Sequence, residues 1–171
     1  MEKLMRMLSL ALIAAVVLCG LSVRQSRAQQ SPLVFAVAEI HYVDTSGEAV
    51  DQSADHRRRL RDFEAALRGD LTASGKISNA TLDCLPNACS VGDLNDSQLV
   101  AKAKEAGATH LLIGRFHKMS TLIQQAKFDV IDVKARKLVF DRYISFRGDN
   151  DAAWRHAETF LARQILEHGE W

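Results

Sequence analysis

Residues 110–146 read HLLIGRFHKMSTLIQQAKFDVIDVKARKLVFDRYISF, and the fold turns on how this run divides. Three β-branched and aromatic segments, His110–Met119, Leu122–Val133 and Lys137–Phe146, are separated by short polar breaks, the pattern of consecutive strands. Lys134-Ala135-Arg136 reads as a hairpin connection, although it lacks the glycine that such turns favour. Side chains alternate across a strand. Leu122, Ala126, Phe128 and Val130 therefore share one face, and Leu138, Phe140, Ile144 and Phe146 share one face of the partner strand; these are the expected buried faces. The other side carries Gln125, Lys127, Asp129 and Ile131 beside Val139, Asp141, Tyr143, Ser145 and Arg147. Such a half-polar sheet side is expected to be solvated or available to a partner.

Working outward, Leu33–Val43 (LVFAVAEIHYV) reads as a central strand, ended by Asp44-Thr45-Ser46-Gly47. A helix capped by Ser53 or Asp55 runs to about Ala73, with Leu60, Phe63, Leu67 and Leu71 at helical spacing, and Gly75 ends it. A short strand over Lys76–Leu82 follows. Asp96 or Ser97 caps a second helix whose narrow stripe is Leu99, Val100, Ala103 and Ala106, stopped by Gly107. The last helix, capped by Asp149 or Asn150, runs to about Glu167 and turns Trp154, Ala157, Phe160, Leu161 and Ile165 inward. The order β-α-β-α-β-β-β-α implies an α/β (α+β) domain over 33–168, with a mixed sheet of about five strands and helices packed on it.

The amino terminus has the form of a secretory signal peptide over 1–28. Lys3 and Arg6 precede the apolar run Leu8–Leu21, and Ser26 and Ala28 supply the small residues that a signal peptidase reads. The run is shorter than the roughly 20 residues that span a bilayer, so no transmembrane segment is expected in the mature chain. Leu18 precedes Cys19 where a lipoprotein signal has a small residue. Residues 29–32 read as a short disordered leader, and the expected location is the periplasm, reached through the Sec pathway. Without residues 1–28, the 22 basic and 21 acidic residues of the chain become 18 and 20, a net charge of −2. That balance gives no electrostatic footprint for nucleic acid.

Cleavage leaves two cysteines, Cys84 and Cys89, flanking Leu85-Pro86-Asn87-Ala88. An even pair in an oxidising compartment points to a disulfide, and the intervening residues suit a turn. A zinc site needs two further ligands at suitable spacing, and a redox motif has two intervening residues rather than four. Neither is met, so the pair reads as a staple.

No nucleophile elbow, zinc-protease helix or phosphate loop occurs; no catalytic residue, metal or cofactor is assigned, and the chain reads as a non-enzyme, the alternative being a small-molecule or metal binder or an enzyme without a recognisable motif. Glu39, His41 and Asp44 form the most polar cluster near the end of the central strand, where open α/β sheets place ligands, and are the weak candidates for a small-molecule or metal site. The run His56-Arg57-Arg58-Arg59-Leu60-Arg61 is either a solvated helix face or an electrostatic patch for an acidic partner, since cations there oppose the helix dipole. His56, His156 and His168 read as helix-surface histidines. FRGDNDAAW (146–154) reads as a strand-to-helix corner anchored by Trp154. The candidate partner-binding residues are thus Lys127, Asp129, Tyr143 and Arg147 on the sheet, and Arg57, Arg58, Arg59 and Arg61 on the helix.

Asp44-Thr45-Ser46, Ala108-Thr109-His110-Leu111-Leu112-Ile113-Gly114, Lys118-Met119-Ser120 with Leu122-Ile123, Asp132-Val133, and Arg147-Gly148 with Asp151 and Trp154 together resemble an uncharacterised family of small secreted bacterial proteins, over about Val34 to Leu166. The phrase Ala106–Gly114 is also similar in layout to the amino-terminal domain of TolB and to curli-secretion and penicillin-binding-protein activator lipoproteins. That resemblance implies a domain that binds a protein partner in the cell envelope and catalyses nothing. The absence of a lipobox departs from the lipoprotein pattern.

Overall fold

The apolar alternation of residues 110–146 folds into an antiparallel meander, and parallel strands from the first half of the chain complete the sheet. The structure, a computed structural model, describes residues 33–169 and 171. The signal peptide expected over 1–28 and the leader over 29–32 lie outside the described residues. The elements are β1 (Leu33–Val37), β2 (His41–Asp44), α1 (Ser53–Ala73), β3 (Ile77–Ala80), α2 (Asp96–Glu105), β4 (His110–Lys118), β5 (Ile123–Asp132), β6 (Lys137–Arg147) and α3 (Asp151–His168). The strands form one mixed sheet in the order β3-β1-β4-β5-β6, with β2 continuing beside β4. β1 and β2 run parallel to β4, and β4, β5 and β6 are antiparallel.

The single strand expected over Leu33–Val43 is two strands, because one extra residue is inserted. Val37 pairs with Leu112 and His41 with Arg115, so Ala38, Glu39 and Ile40 face only Ile113 and Gly114. Such a bulge leaves backbone groups unpaired, and three find partners outside the sheet: Glu39 N–H donates to the Cys89 carbonyl (2.8 Å), Ile40 N–H to the Glu64 carboxylate (2.8 Å), and the Val37 carbonyl accepts from Arg68 (3.0 Å). The insertion also shifts the side-chain phase. Phe35 and Val37, then Ile40 and Tyr42, all face the larger core. Gly114 is required opposite the bulge, since a Cβ there would lie 2.8 Å from the Phe128 ring and 3.0 Å from Ile40.

A second irregularity falls in the hairpin. Val130 pairs with Phe140 and Ile131 with Leu138, leaving Val139 as the additional residue. Leu138, expected in the core, is consequently 55 % exposed beside Ile131, while Val139 packs against the core. Leu122, also expected inside, precedes β5 and is exposed. The hairpin closes without glycine because Arg136 adopts the left-handed conformation (φ 54°) and the Asp132 carboxylate accepts from Ala135 N–H (2.7 Å).

α1 and α3 cover one face of the sheet. Phe63, Leu67 and Leu71 meet Trp154, Leu161 and Ile165 over Phe35, Leu112, Phe116, Phe128 and Phe140. Trp154 stacks on Phe116 with ring centroids 4.6 Å apart. The first two helix entries differ from expectation, since Gln52 precedes α1 without a side-chain cap and Asn95 caps α2 in a reciprocal box with Gln98, whereas Asn150 caps α3 as expected. Phe160, expected inward, is 37 % exposed. α2 covers part of the opposite face, placing Leu99, Val100 and Ala103 over Ala36, Leu111 and Ile113. The Cys84–Cys89 disulfide closes its loop with Cα atoms 5.3 Å apart, and Asn87 N–H donates to the Cys84 carbonyl (3.0 Å).

Trp154→Ala is expected to cost about 3 to 5 kcal/mol, as truncation of a buried aromatic does, read as a lowered urea midpoint. Glu158 is 3 % exposed between the helices, with Oε1 unpartnered, and burial with nearby Asp70 pushes its carboxyl up to about 7. The folded state therefore holds this proton more tightly than the unfolded chain, and stability from this group is lost as pH rises from about 4.5 to 7. Glu158→Gln should raise stability at pH 8 by roughly 1 to 3 kcal/mol and leave it nearly unchanged at pH 4; equal gains at both pH values would refute the assignment.

Candidate functional site

Lys118 ends β4 in phase with Leu112 and Phe116, so strand alternation drives a lysine into the core. Its side chain is 0 % exposed. The ammonium lies 2.7 Å from Asp149, contacts Glu48, and donates to Gln52 (3.1 Å), with Asp44 at 3.9 Å. Burial works against its charge, but the hydrogen bonds it donates to Asp149 and Glu48 outweigh that and raise its pKa. Asp149 is the hub. Its second oxygen accepts from Arg59 (2.9 Å) and from the Trp154 indole (3.3 Å), and His56 lies 2.8 Å from the first. Burial pushes the Asp149 carboxyl up, and Lys118 and His56 pull it further down, to a net value below the ordinary range. His56, expected on the surface, is buried here against Tyr42, whose own pKa is pushed up by burial.

This network fixes the fate of the arginine run. Arg59 bridges Asp149 and Asp151, and Arg58 bridges Asp151 (2.8 Å) and Asp62 (3.1 Å). Those contacts hold the Asp151 carboxyl at about 2. Two of the four candidate cations are thus committed within the fold, while Arg57 and Arg61 are exposed and without an ion pair among the described residues.

The polar cluster near the central strand does not converge. Glu39 accepts from Cys89 N–H (3.2 Å), and the His41 ring lies against Gly92, both on the side of the cysteine loop. Asp44 instead accepts from Ser46 N–H (2.8 Å) and faces Lys118. Among the described residues, no group of three or more His, Cys, Asp or Glu side chains is arranged to hold a metal ion.

The sheet candidates do come together. α2 covers β1 and β4 and reaches little further, so most of the outer side of β5 and β6 is uncovered. A ladder of alternating charge crosses it: Arg115 lies 3.7 Å from both Asp96 and Asp129, and Lys127 bridges Asp129 (3.2 Å) and Asp141. The bond to Asp141 raises the Lys127 pKa and lowers that of Asp141. Tyr143, directly across from Lys127, is 56 % exposed, and Arg147 lies further along the same side. Between this ladder and α2 lies a cleft of ≈ 530 Å³ walled by Val100, Ile131 and Leu138. Leu138 enters it only through the hairpin irregularity, so alternation alone could not have found it. Lys118 was detectable in principle, as a cation in phase with apolar residues.

Residues 34–166 match the family model DUF3280, "Protein of unknown function (DUF2380)". Among curated proteins none matches the sequence. Similar solved structures include TolB from Acinetobacter baumannii (13 % identity, TM-score 0.47), which covers 80 % of this chain while the chain spans 29 % of TolB. The PelC dodecamer from Paraburkholderia phytofirmans (15 %, TM-score 0.50) covers 82 % of this chain and 90 % of its own. Lipoprotein GNA1162 from Neisseria meningitidis (14 %, TM-score 0.49) covers 80 % and 98 %. At these identities the likeness is one of fold.

Removing the charge of the hub tests the network. Asp149→Asn should cost about 3 kcal/mol at pH 7, because Lys118 and Arg59 lose a buried counter-charge. A depressed carboxylate contributes stability above its unfolded pKa that is lost as pH falls through the folded one. The gap between parent and variant in urea unfolding should therefore narrow from pH 7 towards pH 3; a gap independent of pH would contradict the charge assignment.

Proposed function

The chain belongs to the DUF3280 family of proteins of unknown function, and from that premise we propose that it is a non-catalytic accessory module of the bacterial cell envelope, acting in the periplasm by binding a protein partner through the open side of β5 and β6. The observation that carries this reading is the uncovered charged ladder with Tyr143 exposed at its centre and a cleft of mixed charged and apolar lining along its border. Tyrosine and arginine are the side chains that most often dominate interface energetics, and Tyr143 and Arg147 stand on this side together. Lys127 and Asp129 fix the charge pattern that orients a partner. The helix patch is the weaker surface, since Arg58 and Arg59 already serve Asp149 and Asp151.

Export through the Sec pathway is supported by the residues of the amino terminus and by the Cys84–Cys89 bond, a feature of oxidising compartments. No described helix is long and apolar enough to cross a membrane. No nucleic-acid partner is proposed. Nor is a ligand site at Glu39, His41 and Asp44, whose side chains diverge.

A photo-crosslinking residue placed at 143 or at 61 in the exported protein distinguishes the two surfaces. Position 143 should yield a discrete adduct with an envelope protein, and Tyr143→Ala should reduce capture of that partner about tenfold, equivalent to roughly 1.4 kcal/mol, with the melting temperature unchanged. Adducts from position 61 alone, with capture by Tyr143→Ala equal to the parent, would move the site to α1.

A further inference from the structure

β6 ends the sheet, and its outer edge is an eleven-residue run of backbone with no strand beside it among the described residues. Exposed edges of that length template pairing with another strand unless something blunts them. The phase of the edge is fixed by Gly148 N–H, which donates to the Leu122 carbonyl (2.8 Å). Even-numbered residues near this end therefore turn their backbone groups towards β5, and Asp141, Tyr143, Ser145 and Arg147 turn theirs outward. Along the edge runs a groove of ≈ 460 Å³ walled by Phe146, Ala153, Ala157 and Phe160.

We infer that the occupant of this edge is the β6 strand of a second copy of the chain, paired antiparallel about a two-fold axis at Ile144. The edge is self-complementary in that register. Each Asp141 lies opposite Arg147 of the second copy, and Tyr143 lies opposite Ser145, so every outward N–H from 141 to 147 meets a carbonyl. Arg147 has no ion pair among the described residues, and Arg142, whose Nε is buried without a partner, comes opposite Phe146 of the second copy. Moving the axis to Arg142 would set Lys137 opposite Arg147 and Arg142 against itself, two repulsive arrangements. Moving it to Tyr143 would leave Asp141 facing Ser145. Asp141 already contacts Lys127 yet remains 59 % exposed at its side chain, open to a second cation. The pairing makes one continuous sheet and brings the two open ladders onto the same side of it.

Sedimentation equilibrium on protein recovered after expression of the full chain tests this. A dimer is expected, and Ser145→Pro should raise its Kd at least tenfold without changing the circular dichroism, because proline removes an outward N–H that the fold does not use. Asp141→Arg and Arg147→Asp should each weaken the dimer about tenfold, and the combined variant should recover most of that loss. Should Ser145→Pro fail to fold, the charge exchange carries the test by itself. A chain that stays monomeric at ~100 µM, a concentration at which even a weak specific dimer is populated, would overturn the inference. So would a dimer indifferent to Ser145→Pro, or a combined variant no tighter than either single one.

Discussion

The buried pair of Lys118 and Asp149 is the contact on which the arrangement of the domain depends. One partner ends β4, and the other sits in the corner between β6 and α3, so the pair ties β4 to the last helix. Glu48 and Gln52 bring in the segment before α1, and His56 and Arg59 bring in its first turns. Taking such charges out of water costs several kcal/mol per ion, which is recovered only where the remaining donors and acceptors are satisfied. Here the Asp149 oxygens accept from four side chains. The ring of Trp154 then closes the network from the core side while its N–H takes part in it.

Two single-residue insertions decide which side chains the sheet presents. At Ala38–Ile40 the extra residue keeps a bulky apolar side chain on the helix-covered face, although the sequence there changes phase. At Val139 the insertion sends Leu138 out to the open side and Val139 in. Both are supported locally, the first by Glu64 and Arg68 of α1 and by the cysteine loop, the second by the tight turn through Arg136. Bulges of this kind re-aim side chains at sheet edges and beside sites.

The order of elements, the meander, both long helices and the disulfide were legible from residue periodicity and spacing, because each is encoded over a short window. The bulges were not, since Leu33–Val43 reads equally well as one uninterrupted strand and Leu138 fits the apolar phase of its neighbours. Of the buried charges, only Lys118 left a trace, in its apolar phase. His56 and Arg59 look like a solvated helix face until Asp149, some ninety residues away, is brought against them. Asp149 itself was free for that task because Asn150 caps the helix. On the sheet the polar alternation of Lys127, Asp129 and Asp141 did mark the open side, since no covering element was needed to see it.

The position of β1 bears on the order in which the domain can assemble. β4, β5 and β6 are joined by short connections and can pair soon after they meet, whereas β1 lies between β3 and β4, and Val34 is held to Thr109 across 75 residues. Contacts of such separation carry the loop-closure cost before they return any stabilisation. Until β1 is inserted, the meander has two unpaired borders, that of β4 as well as that of β6, and β4 presents the apolar run Leu111-Leu112-Ile113 along its own. Late entry of the central strand thus makes the interval before closure the time at which nascent chains are most prone to associate wrongly.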